Sequence, residues 1–202
     1  DEIPAREAGA RLGCITALEL EEARRLLQRA MSGDDALRKG AAQVLAANVI
    51  SAVHRDLCME HLIPLFDDNT DEVRREAGSW CIRKKIGEKW EGILPVVEAY
   101  IDSRAFLNDS ERFFMALEEV TDIPPRLILR AVKRFVEECG DRAGDLSSRF
   151  ALAGKQASQL ILRCYHQAGS DRDLRSLCLD IFDGLLAVEA YGALEALDSL
   201  ER

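Results

Sequence analysis

Apolar residues recur along this chain at intervals of three and four, the spacing that lines them along one face of an α-helix. Leu20, Ala23, Leu26, Leu27, Ala30 and Met31 form the first stripe. Thr16 and Glu19 have capping-box spacing, and Ile15 is placed to staple onto Leu20, so a helix start is predicted at Thr16. Ser32-Gly33-Asp34 stops that helix and offers a cap to the next, whose stripe is Leu37, Ala41, Val44, Leu45 and Val49. A second pair follows. Its first helix runs from about His54 to Phe66, its turn is Asp67-Asp68-Asn69-Thr70, and its returning helix over 71–85 carries Val73, Ala77, Trp80 and Cys81. A third pair has Ile93, Leu94, Val97, Tyr100 and Ile101, a turn at Asn108-Asp109, then Phe113, Phe114 and Leu117.

Pro124-Pro125 is a natural helix start, and Leu127, Ile128, Ala131, Val132, Phe135 and Val136 continue it. The period fades over 140–154, which reads as a short helix or an ordered loop. A last strong pair spans 155–167 and 171–188, and a helix near 190–200 is expected to cap the stack. No strand pattern occurs, and loops of about 3–8 residues suit neighbouring antiparallel helices. The expected fold class is all-α. The expected organisation is a linker or disordered segment at 1–13 and one helical repeat domain over 14–202.

The chain also repeats itself. Asp35-Ala-Leu-Arg38-Lys-Gly-Ala41 matches Asp71-Glu-Val-Arg74-Arg-Glu-Ala77 at a constant offset of 36 residues. Arg112 lies 38 residues beyond Arg74, and Asp173-Leu-Arg175-Ser-Leu-Cys178 repeats the pattern near the end. A period of ~30–50 residues with two helices per unit is the signature of stacked helical repeats.

The segment Leu62-Ile-Pro64-Leu-Phe66-Asp-Asp68-Asn-Thr-Asp71-Glu-Val73-Arg74-Arg-Glu-Ala77 resembles a HEAT repeat, with Pro in the first helix, Asp in the turn, and Val-Arg followed by a small residue in the second. The resemblance extends over most of 15–188. It implies an armadillo-like α-solenoid, an α-α superhelix of stacked antiparallel helix pairs. Arg38, Arg74 and Arg175 match the family arginine, which bonds to turn aspartates of its own or a neighbouring unit, so they are expected to form a structural ladder. The tetratricopeptide pattern Trp-x-x-Leu-Gly-x-x-Tyr is absent. The segment from Leu160 through Tyr191-Gly192 is similar to the C-terminal ends of large bacterial HEAT-containing proteins. With Asp1 as first residue, the chain is expected to be part of a longer multidomain protein.

Hydrophobic residues make up 48% of the 202 and charged residues 31%, ordinary for a folded chain. The net charge of −9 and pI of about 5.0 lower the expectation of nucleic-acid binding. Six cysteines occur without a CxxC pair, mostly on apolar helix faces, which suits reduced thiols in a cytoplasmic protein. No apolar run reaches membrane-spanning length, and residues 1–13 lack a signal-peptide core.

Chemistry-bearing motifs are few. His54, Cys58 and His61 are spaced i, i+4, i+7, which on a helix puts them on one face, but a structural zinc wants four ligands and only Cys81 suggests itself as the fourth. His166 sits near a helix end, where a cation favours the dipole. Gly154-Lys155-Gln156 lacks the Ser or Thr and the upstream Gly of a phosphate-binding loop, and no GxSxG elbow occurs. Arg74, Arg75, Arg83, Lys84, Lys85 and Lys89, interleaved with Trp80 and Trp90, are the best candidate for contact with nucleic acid or an acidic peptide. Arg126, Arg130 and Lys133 read as the exposed back of an amphipathic helix. Among enzymes that resemble HEAT stacks, the metal hydroxylases need His-Glu dipeptides, which are absent. The alkylpurine DNA glycosylases remain open through Trp80 and the nearby arginines.

The expected function is therefore a non-catalytic protein-interaction scaffold or regulatory module, without cofactor or metal. Its partner is a protein, with a domain of its own parent chain among the candidates. In HEAT-type stacks the second helices line the concave surface, so the resemblance points to Glu72, Arg75, Ser79 and Arg83 as contact residues. The alternative is a nucleic-acid-binding module, including a HEAT-like DNA glycosylase.

Overall fold

The computed structural model describes residues 12–49, 53–81, 92–120, 123–143 and 149–200. They form ten α-helices, and no strand occurs among them. In chain order the helices are α1 (Leu20–Met31), α2 (Asp35–Asn48), α3 (Arg55–Leu62), α4 (Asp71–Gly78), α5 (Leu94–Ile101), α6 (Arg104–Glu118), α7 (Pro125–Ala143), α8 (Arg149–Gln167), α9 (Arg172–Ala187) and α10 (Ala193–Leu200). The contacts divide the chain into two compact units, Asp1–Arg83 with Lys89–Asn108, and Lys84–Glu88 with Asp109–Arg202.

In the first unit α1 packs on α2 and α3, and α2 packs on α3 and α4. Pro64 follows α3. Proline lacks the amide that an α-helix needs and crowds the preceding turn, so the chain tightens into a 3₁₀ segment, Ile63–Asp67. That segment carries both α4 and α5. Fully buried Tyr100 lies edge-on between Phe66 at 5.5 Å and Phe106 at 6.0 Å. Gly78 makes this possible, because a Cβ there would come within 2.7 Å of the Tyr100 ring. In the second unit α7 packs on α8 and α9, and α8 packs on α9 and α10. Phe114 and Phe135 meet edge-to-face at 5.6 Å in its core, a pairing that adds about 0.5–1.5 kcal/mol to the burial itself. Arg163 of α8 donates to the carbonyls of Leu117, Glu118 and Val120 at 3.0–3.2 Å, closing the end of α6.

Four details differ from the sequence reading. Thr16 caps no helix: Ile15–Ala17 is a separate 3₁₀ turn, Leu18 is extended, and α1 begins after Glu19, whose side chain makes no capping bond. Leu20 consequently lies at the rim of its stripe, 45% exposed. The returning helix of the second pair ends at Gly78, continued by a turn to Cys81. The turn of the third pair falls at Asp102-Ser103, where Ser103 donates its hydroxyl to the Tyr100 carbonyl at 2.7 Å. Asp109 is instead a kink inside α6, with φ −129° and ψ 24°. Finally, the irregular stretch is narrower than 140–154, since α7 runs to Ala143 and α8 starts at Arg149. At the N-terminus residues 1–11 lie outside the described residues, and Leu12 is buried.

Candidate protein-binding surface

The turn between α3 and α4 draws an arginine from each of three successive helix pairs. Asp34 caps α2 by accepting from the Leu37 amide at 3.0 Å, which places Arg38 one turn into the helix. From there Arg38 reaches the next turn, donating to Asp68 through Nε at 2.8 Å and Nη2 at 3.4 Å. It also donates to Asp35 at 2.6 Å and to the Gly33 carbonyl at 2.9 Å. Arg74 is buried and bonds to Asp71 and to the Asp68 carbonyl. Arg104 arrives from the other side, its amide donating to Asp67 at 2.9 Å and its guanidinium to the Asp67 carbonyl. Burial works against charge on Asp68. The Arg38 hydrogen bonds, the Thr70 amide and the Arg38 charge outweigh it and hold the carboxyl below its usual range. The Arg38 guanidinium is pushed upward, chiefly by its bond to Asp68.

Arg38 and Arg74 thus make the turn contacts expected of them. Arg175 does not. Its guanidinium lies 4.3 Å over the Tyr165 ring and meets the Tyr165 hydroxyl. Its backbone amide still closes onto Asp171, which caps α9 through the Leu174 amide at 3.0 Å.

With the ladder arginines engaged, Glu72 and Arg75 are left exposed on α4. Ser79, just past the helix, is half-buried and its hydroxyl points away from solvent. Arg83 lies outside the described residues, as do Lys84, Lys85, Lys89 and Trp90. The 36-residue offset carries Glu72, Arg75 and Ser79 back onto Ala36, Lys39 and Gln43 of α2, which packs directly on α4. Ala36 and Gln43 are exposed and Lys39 half-exposed, and open space lies beyond Gly40. Lys39 and Arg75 therefore hold equivalent positions on adjacent helices, a pairing the repeat offset alone identifies.

Other candidates fare differently. His54 is the residue before α3, with a left-handed φ of 55°, so it is not on the helix that carries Cys58 and His61. Its Nε2 meets the Leu18 carbonyl at 2.9 Å, and His61 Nδ1 meets the Leu57 carbonyl at 3.0 Å. Burial pushes the Cys58 thiol up to about 11. Among the described residues no three His, Cys, Asp or Glu side chains come together as a metal shell. A cleft of about 560 Å³ opens between α1 and α3, lined by Leu20, Arg24, His54, Arg55, Asp56 and Glu60 with Leu57. No hydroxyl or thiol lines it, and Arg24 sits 3.5 Å from Glu60. Trp80 is 4% exposed and Arg74 9%, so neither offers a surface to a nucleic acid. Arg126, Arg130 and Lys133 are exposed on α7 opposite buried Leu127, Ile128 and Val132, and Lys133 pairs with Glu137 at 3.8 Å. His166 is exposed in the last turn of α8, against Tyr165. Among the described residues no helix is long and apolar enough to cross a membrane.

Comparison with protein-family models, with curated proteins and with solved structures gives no match.

Proposed function

We propose that this chain is a non-catalytic HEAT-like α-solenoid scaffold that binds a protein partner along the second helices of its pairs. The observation that carries the reading is the pairing of Lys39 with Arg75. They sit at equivalent positions on α2 and α4, which pack together, while the neighbouring Arg38 and Arg74 are taken up in the turns. Two further features support it. α1 and α2 in the first unit, and α7 and α8 in the second, each pack on the next helix and on the next but one, the contact pattern of stacked pairs. The turn arginines link successive pairs, Arg38 to Asp68 and Arg104 to Asp67. Glu72, Arg75, Ser79 and Arg83 remain the proposed contact residues, extended by Lys39 and Gln43. A cytoplasmic protein, or a domain of the parent chain, is the proposed partner. Of the residues behind the nucleic-acid alternative, Trp80 and Arg74 are buried and Arg75 is exposed, while Arg83, Lys84, Lys85, Lys89 and Trp90 lie outside the described residues.

The test compares wild type with Lys39→Glu plus Arg75→Glu, both immobilised and exposed to native-host lysate. The reading predicts a protein retained by wild type and lost by the variant at an unchanged melting temperature. Equal retention sinks this surface. Duplex DNA binding that weakens between low and physiological salt sinks the protein-partner reading.

A further inference from the structure

The end of the second unit carries a groove unlike the charged surface of α2 and α4. It encloses about 440 Å³ and is lined by Leu186, Glu189, Ala190, Ala193, Leu194 and Leu197. Leu194 is 72% exposed, the most exposed large apolar side chain among the described residues. Leaving it in water is unfavourable, and large exposed apolar groups beside a groove mark interaction sites.

The one charged residue lining this groove is acidic, Glu189. From Ser176 to Leu200 the chain has no Lys or Arg. Its only charged residues there are Asp180, Asp183, Glu189, Glu195 and Asp198, and all five are exposed. Lys155 of α8 packs its stem against Gly192 beside the groove, and its charge acts on Glu118. An apolar groove lined by one carboxylate, in a stretch whose charges are all acidic, is complementary to an amphipathic helix that carries apolar anchors on one face and Lys or Arg beside them.

Glu189 adds an independent observation. α9 ends with the Ala190 amide on the Leu185 carbonyl at 2.9 Å and the Glu189 amide on Leu186 at 3.0 Å. This closure puts Glu189 in the left-handed region, with φ 51°. Glycine is the usual residue there, since a Cβ is strained in that conformation. The chain keeps a carboxylate at a position where glycine folds more readily, and that carboxylate lines the groove. A local rule broken beside an apolar groove is expected where the side chain has a task.

We infer that the α9–α10 groove is a docking site for a cationic amphipathic helix of a partner protein. Leu194, Leu197 and Leu186 receive its apolar anchors, and Glu189, Glu195 and Asp198 meet its basic flank. The groove shares no residue with the contact set proposed on α2 and α4, and the inference does not depend on it.

Fluorescence anisotropy with the full chain tests this. The probe is a labelled synthetic helix of about four turns with Leu at i, i+4 and i+7 and Lys on the polar face. One control replaces each Leu by Ser and keeps every Lys. The other replaces each Lys by Glu. The site predicts binding of the probe at least tenfold tighter than of either control, weakening as salt rises. Leu194→Asp, at an exposed position, removes it. Glu189→Gly weakens it several-fold while holding or raising the melting temperature. Equal binding of the Ser control would show charge attraction alone and overturn the site. So would binding unchanged in Leu194→Asp, no binding at all, or a dimer of the chain that Leu194→Asp dissociates.

Discussion

Replacing Asp68 by Ala removes the carboxylate at the centre of the three-arginine turn. Asp68 accepts a strong bond from Arg38 Nε at 2.8 Å, a weak one from Nη2 at 3.4 Å, and the Thr70 amide at 2.8 Å. A hydrogen bond to a charged group contributes about 1.5–3 kcal/mol net, and a neutral amide bond about 1 kcal/mol. The Asp68 side chain is 10% exposed and that of Arg38 21%, so solvent replaces the lost contacts only partly. Arg38 keeps Asp35 and the Gly33 carbonyl, which spares it the full penalty of an unpaired buried charge. The expected loss is about 2–4 kcal/mol, read from urea unfolding followed by circular dichroism. Asp35 is the internal control. It also bonds Arg38, but its side chain is 67% exposed, so Asp35→Ala should cost under about 1 kcal/mol. The pH dependence follows from the lowered Asp68 pKa. The stability Asp68 contributes is fully present above the ordinary carboxylate pKa of about 3.9. It disappears as pH falls through the lower folded value. The advantage of wild type over Asp68→Asn should therefore be flat near neutrality and shrink in acid below about pH 4. A cost for Asp68→Ala no larger than that for Asp35→Ala would refute the reasoning, as would an advantage that grows in acid.

Two further outcomes are expected. Gly78→Ala forces a methyl against the buried Tyr100 ring. Overpacking outweighs the helix propensity gained, for a net loss of about 1–2 kcal/mol, and in a Tyr100→Leu background the same change should cost nothing in a thermal melt. Among the described cysteines, iodoacetamide at neutral pH should label exposed Cys14 in the folded protein. It should spare Cys58, Cys81 and Cys164, whose thiols burial pushes to about 11, well above the ordinary value and to about 12. Peptide mapping by mass spectrometry reads this, and labelling of Cys58 ahead of Cys14 would contradict the burial described.

Much of the helical layout was legible because it rests on periodicity, which depends on many residues at once. Asp34 and Pro124-Pro125 also read correctly, since each acts through a local bond or a fixed dihedral. Features decided by one or two residues in competition with tertiary contacts did not read. Thr16 and Glu19 have capping-box spacing, yet the 3₁₀ turn at Ile15–Ala17 claims that stretch and leaves the Leu18 carbonyl for His54. Asn108-Asp109 has turn chemistry, but buried Phe106 on one side and buried Phe113 on the other keep both flanks helical and reduce it to a kink. Trp80 counted as a surface aromatic only because its flanks are basic. Arg38 and Arg74 were recognisable from their place after a turn aspartate, whereas Arg104 occupies a position the repeat pattern does not mark. On the candidate surface, Arg75 was legible and Lys39 was not, because the ridge was read on one helix instead of being carried across the repeat.

The central claim is that a protein partner is held by the second helices. Its most direct test is the affinity of the captured partner, by titration calorimetry, for two charge-reversed variants of equal net change. One is Lys39→Glu with Arg75→Glu on α2 and α4. The other is Arg25→Glu with Arg29→Glu, both exposed on the first helix α1. The account predicts at least a tenfold loss, about 1.4 kcal/mol, for the first pair and little change for the second. Equal losses for both pairs, or a larger loss on α1, would contradict it.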